Sequence, residues 1–119
     1  MSVPFEKMRV WHDARRLTAR IYHATSGASF LKDSALRNQI RRAAISVMSN
    51  IAEGKERGTP RELAQFMRIA KGSAGEVRSQ LYIAEDAGYL DQETARALRR
   101  YSASIARQIA DVIKVASPG

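Results

Sequence analysis

At 119 residues, 45% of them hydrophobic and 27% charged, the chain is long enough for one hydrophobic core and too short for two, which excludes a multidomain enzyme. Twenty Lys and Arg against 12 Asp and Glu leave a formal charge of +8, with 15 of the cations arginine, a field that draws polyanions without reading their sequence. The absence of cysteine removes disulfides, thiolate zinc sites and cysteine nucleophiles. The segment Met1 to Lys7 lacks the apolar core of a signal peptide and no apolar run approaches ~18 residues, so a cytoplasmic protein with no membrane partner is expected.

Abundant Ala, Leu, Ile, Arg and Glu, with only three prolines, favour helix. Trp11, Ala14, Leu17, Ile21 and Tyr22 recur at helical spacing and predict a first helix from about Lys7 to Thr25. Ser26-Gly27-Ala28-Ser29 ends it. Phe30 and Leu31 are expected to enter the core as the chain crosses, and Asp33 or Ser34 to cap a second helix. That helix carries Leu36, Ile40, Ala43, Ala44, Val47 and Ile51 on one face and ends between Glu53 and Arg57, with Gly54 and Gly58 as candidate stops. Thr59-Pro60-Arg61-Glu62 has the capping-box pattern, an N-cap hydroxyl followed by proline at the first helical position and glutamate three residues after the cap. A third helix then runs through Leu63, Phe66, Ala70, Ser73, Val77, Leu81 and Ala84 to Gly88. A fourth follows Asp91, with Ala95, Leu98, Ile105, Ile109 and Val112 inward, before Pro118. Four helices with short connections predict an all-α fold, one antiparallel up-down-up-down four-helix bundle over residues 1–119.

The stretch from Gln39 through Ala43, Ala44, Ser46 and Asn50 to Gly54 places polar groups inside an alanine-rich stripe. Together with Ala70 to Glu76, Ile21-Tyr22 and Gly88-Tyr89-Leu90, it resembles the bacterial four-helix-bundle family whose members include proteins encoded within ribosomal RNA intervening sequences. Met48 stands where many relatives carry proline. The resemblance implies a cytosolic homo-oligomer, with ring-like pentamers as the family's assembly. It also implies kinship with accessory proteins of diversity-generating retroelements, which assist a reverse transcriptase, and it implies no catalytic activity. More apolar surface along the four helices than one interior requires points to self-association as well.

Two constellations stand out. The first is a polar seam of Arg42, Ser46, Asn50, Glu53, Ser73 and Glu76. A buried amide left unpaired costs about 1–3 kcal/mol, so Asn50 should be hydrogen-bonded, and fixing helix register or oligomer geometry is favoured over holding a ligand. A hairpin turning at Gly58 would set Arg42 near Ala74 and within reach of Glu76 as an ion pair. The second comprises two arginine stripes, Arg9, Arg15, Arg16 and Arg20 on the first helix and Arg96, Arg99, Arg100 and Arg107 on the last. Such stripes are ordinarily solvated faces laced with pairs such as Arg9 to Asp13, but repeated around a ring they form a continuous polyanion surface. Few aromatics fall outside the predicted core, so base stacking is not indicated.

The remaining chemistry is sparse. No Glu-x-x-His pair occurs, and His12 and His23 are separated along one helix by about 16 Å, too far to share an ion. There is no Gly-x-Ser-x-Gly elbow, and Gly72-Ser73-Ala74-Gly75 lacks the spacing and preceding strand of a phosphate loop. The chain is therefore read as non-enzymatic and without cofactor or metal. It is an accessory or scaffold protein whose partners are copies of itself and RNA or DNA, or alternatively a module that binds another protein.

Overall fold

Local chemistry fixes where each helix starts. In the computed structural model, which describes residues 3–117, a 3-10 turn (Phe5–Lys7) leads into α1 (Arg9–Ala24), a single-turn α2 (Ala28–Leu31), α3 (Ser34–Glu56), α4 (Pro60–Asp86) and α5 (Gln92–Ala116). Asp33 accepts from the Leu36 amide at 3.0 Å, Thr59 from Glu62 at 3.2 Å and Asp91 from Thr94 at 2.7 Å, each filling an amide that the first turn leaves without a partner. The Glu62 carboxylate closes its capping box on the Thr59 hydroxyl, at 3.0 Å. Gly58 (φ +87°) and Gly88 (φ +79°) supply the left-handed residues that end α3 and α4. At Gly88 the paired bonds Gly88 N to Glu85 O (3.0 Å) and Tyr89 N to Ala84 O (2.9 Å) close the helix in a Schellman motif.

The four long helices pack as an antiparallel bundle 47 Å long and 21 × 20 Å in section. Contacts on each side rise in number on one helix and fall on the next. Thr18 meets Ala44 and Thr25 meets Arg41 between α1 and α3; Ser46 meets Ser73 and the Gly54 backbone approaches Phe66 between α3 and α4. Ser102 donates to the Ala74 carbonyl and Arg99 to Glu85 between α4 and α5, and α5 returns to α1 through Gln108 and Asp13. Leu17, Ile21, Ile40, Val47, Ile51, Met67, Val77, Leu81, Ile105 and Ile109 fill the interior, and α3 runs unbroken across Met48.

Several expectations are corrected. Val10, one turn before Ala14, is buried, whereas Tyr22 lies outside under the Arg41 guanidinium, 4.4 Å from its ring. Phe30 is buried against Tyr89 but Leu31 is 65% exposed, because adjacent residues on a helix turn point about 100° apart. Ala64, Met67 and Ala74 of α4 and Ser102 and Ala106 of α5 join the core beyond the residues expected there. Gly54 is no helix stop. It lies buried inside α3, where a Cβ would stand 2.8 Å from Phe66 Cβ and 3.3 Å from the Leu63 carbonyl oxygen, so it exists to let α4 approach.

This contact makes opposite predictions for two glycines. Gly54→Ala should lower stability in urea by about 1–3 kcal/mol, since the rigid Phe66 Cβ cannot move aside without shifting backbone. Gly72→Ala, in a helix interior with open space around it, should raise stability by about 0.5–1 kcal/mol. A neutral or stabilising Gly54→Ala would mean that the close approach is not a constraint.

Candidate nucleic-acid interface

Three residues of the polar seam meet. Asn50 Nδ2 donates to the Ser46 carbonyl (2.8 Å) and to Ser46 Oγ (2.9 Å), and Ser46 Oγ lies 2.8 Å from Ser73 Oγ across the α3/α4 contact. Either hydroxyl can donate in the Ser46–Ser73 bond, since a serine oxygen that accepts from Asn50 keeps a second lone pair and its own proton. The other three stand apart. Glu53 is exposed and pairs with Arg57 at 2.9 Å, one turn along its own helix. Arg42 and Glu76 are both exposed and form no ion pair among the described residues. Gly54, rather than Gly58, is where the helices come closest, so Ser46 meets Ser73 where a turn centred on Gly58 would have set it against Ala70. The shift itself does not part Arg42 from Glu76, since it sets Arg42 opposite Val77; the two stay unpaired because both side chains lie on exposed faces. The seam is a packing device.

The arginines of α1 are largely committed. Arg9 and Arg16 flank Asp13 at 3.7 and 3.8 Å, and Gln108 donates to the same carboxylate at 2.8 Å. Arg20 stacks over the Tyr101 ring at 4.7 Å, and burial followed by the Asp13 charge pushes the Tyr101 phenol above its ordinary pKa. Arg15 lies over Trp11 at 5.7 Å, on the other flank of the helix. These groups tie α1 to α5 and to its own aromatic face, with one carboxylate already in their midst.

On the far side of α5 the balance differs. Arg68, Lys71, Gly75, Arg78, Tyr82 and Glu85 recur along α4 at alternating steps of three and four, which is one helical stripe. It faces Arg96, Arg99 and Arg100 of α5 across an open groove whose two halves, about 550 and 590 Å³, both take in Arg78. Six cations line it against one carboxylate, Glu85, and that one is bound to Arg99 at 2.7 Å. Arg78 lies along its own helix, Nη2 passing 3.6 Å from the position a Cβ of Gly75 would occupy, and its Nη1 is buried with no hydrogen-bond partner. Arg78 itself is half-buried, so this is one unsatisfied donor on an otherwise partly solvated guanidinium.

Two of the expected α5 residues are reassigned by these positions. Arg99 is held by Glu85 and stacks over Tyr82 at 3.9 Å with its side chain only 12% exposed, so it is a brace and not a free contact. Arg107 is exposed but lines neither half of the groove. Arg68, Lys71 and Arg78 were not among the expected residues, although their spacing of three and seven on one helix was a readable signal. His12 and His23 are exposed, His12 Nε2 against the Glu6 carbonyl, and among the described residues no cluster of three or more His, Asp or Glu could hold a metal. Among the described residues no helix is long and apolar enough to cross a membrane.

A helical bundle of this form with a hydroxyl-lined α3/α4 contact defines a class before it defines a function. The family model of the 23S rRNA-intervening sequence protein matches residues 6–111, and the chain belongs to that family. Its fold is similar to the crystal structure of a protein of unknown function from the S23 ribosomal protein family of Bacteroides thetaiotaomicron, with a TM-score of 0.80 at 21% identity over 88% of this chain and 98% of that one. None of the curated proteins matches in sequence.

The seam is testable by a double-mutant cycle. Ser46→Ala strands the buried Ser73 and removes one of the two acceptors of Asn50 Nδ2, which keeps the residue 46 carbonyl, and should cost about 1–2 kcal/mol; Ser73→Ala alone should cost about 1 kcal/mol. The double mutant should cost less than the sum, because the two hydroxyls satisfy each other. Strict additivity in chemical denaturation would show that the hydroxyls do not interact.

Proposed function

We propose that the chain is a non-enzymatic, homo-oligomeric accessory or scaffold protein that associates with RNA or DNA through the α4/α5 groove. The observation that carries this reading is the concentration of Arg68, Lys71, Arg78, Arg96 and Arg100 in one groove whose single carboxylate is already spent on Arg99. Cations so placed contact phosphates and release counterions, which gives affinity with little sequence preference. The family resemblance favours a pentamer. Ile45, Ile69 and Ile83, 39, 49 and 51% exposed on the outward sides of α3 and α4, support self-association away from the groove. Repetition of the groove around a closed ring would turn a modest site into a multivalent surface. Among the described residues the hydrogen bonds pair no serine or threonine hydroxyl with a histidine or carboxylate base beyond the helix caps, which favours a binding role over a catalytic one.

A module that binds only another protein has one observation in its favour, an apolar groove of about 540 Å³ between the α3/α4 turn and the end of α5, beside the 82% exposed Val115.

Fluorescence anisotropy with labelled RNA and DNA separates the two. The intact protein should bind at about 50 mM salt and weaken steeply as salt rises, with a log–log slope of about −0.7 to −0.9 per phosphate contacted. Replacing Arg68, Lys71, Arg78, Arg96 and Arg100 with glutamine should reduce affinity by more than about tenfold; replacing Arg9, Arg15, Arg16 and Arg20 should change it by less than about threefold. Light scattering should give a mass several times 13.2 kDa for both constructs. Absence of binding at low salt refutes the nucleic-acid reading, and a 13.2 kDa particle at micromolar concentration refutes the assembly.

A further inference from the structure

Tyr82 is out of place if the α4/α5 groove does nothing but gather charge. It is 56% exposed, the most exposed aromatic side chain of the described residues, and it stands in the half of the groove that also holds Arg78, Arg96 and Arg100. The ring fills no core there, and its one intramolecular contact of note is the Arg99 guanidinium on its face.

Its setting is also unusually fixed for an exposed side chain. The Arg99 guanidinium covers the ring at 3.9 Å and is itself held by Glu85 at 2.7 Å, with both partners largely withdrawn from solvent. Arg99 and Glu85 thus act as a backing that limits the rotamers of Tyr82, so little entropy remains to be lost when a second flat group meets the ring. The unpartnered Nη1 of Arg78 and the guanidinium groups of Arg96 and Arg100 lie around it without a free carboxylate in that half of the groove. An aromatic ring flanked by phosphate-seeking cations is the arrangement on which unpaired bases stack while their backbone follows the charge.

We infer that Tyr82, backed by Arg99, is a base-stacking platform that makes the α4/α5 groove take single-stranded nucleic acid in preference to duplex. The inference rests on the nucleic-acid reading above and adds the strandedness of the ligand. Bases in a duplex are stacked on one another and their faces are closed to a side chain on a helix surface, so a duplex can use the arginines and not the ring. An unpaired strand uses both. Because every base has a π face, the platform discriminates by strandedness and only weakly by sequence.

The test compares a labelled single-stranded oligonucleotide with its own duplex in anisotropy titrations at about 50 mM salt, where phosphate contacts are strong for both. The unaltered protein should bind the single strand more tightly. Tyr82→Ala should weaken single-strand binding about tenfold and duplex binding less than about twofold, whereas Tyr82→Phe, which keeps the ring, should retain both. Alanine is a strong helix former and the site is exposed, so the variant keeps its fold, which circular dichroism checks directly. Tighter binding of duplex, or a Tyr82→Ala effect that is absent or equal on both ligands, overturns the platform while leaving the charged groove standing. Failure of the unaltered protein to bind either form overturns platform and groove together.

Discussion

Where α3 and α4 meet, alanine, glycine and serine stand in place of the branched side chains that hold most helix pairs 8–10 Å apart. Gly54 admits Phe66, and the Ser46–Ser73 bond satisfies the hydroxyls that such closeness brings together. The register of the hairpin follows from this approach and not from the midpoint of its turn. With α4 fixed against α3, the stripe of α4 nearly half a turn from Ser73 is left to lie along α5, and that stripe is the basic one.

The two sides of α5 show what placement does to charge. Toward α1, arginines surround Asp13 and Tyr101 and serve the packing of two helices. Toward α4, arginines outnumber the carboxylate available to them, and Gly75 gives Arg78 a bed along its helix from which Nη1 points into no partner. Net charge alone makes no distinction between these faces. Only the second gathers six cations along one open groove, with its carboxylate bound to Arg99.

The fold was legible to the residue in places because its signals are local. Caps at Asp33, Thr59 and Asp91 and left-handed glycines at Gly58 and Gly88 depend on chemistry within four residues, and the apolar stripes repeat with the helix. What escaped depends on which neighbour a side chain meets. Gly54 has the look of a terminator until Phe66 is seen against it, and Arg42 and Glu76 are neighbours in register yet stay on exposed faces without pairing. The hydrogen-bonded part of the seam was readable, since Asn50 lies one turn from Ser46 on the buried side. The groove was half readable: its α5 wall was visible as Arg96, Arg99 and Arg100, but Arg99 is spent on Glu85 and Tyr82, and the α4 wall emerges only when Arg68, Lys71, Arg78 and Tyr82 are taken as one stripe.

The central claim is that nucleic acid lies between α4 and α5. Photo-crosslinking of 4-thiouridine-containing RNA to the intact protein, followed by mass spectrometry of the peptides, locates it without altering any residue. Crosslinks should concentrate in residues 68–85 and 96–103, with none in residues 9–20. Crosslinks confined to residues 9–20, with both walls of the groove unlabelled, would contradict the account.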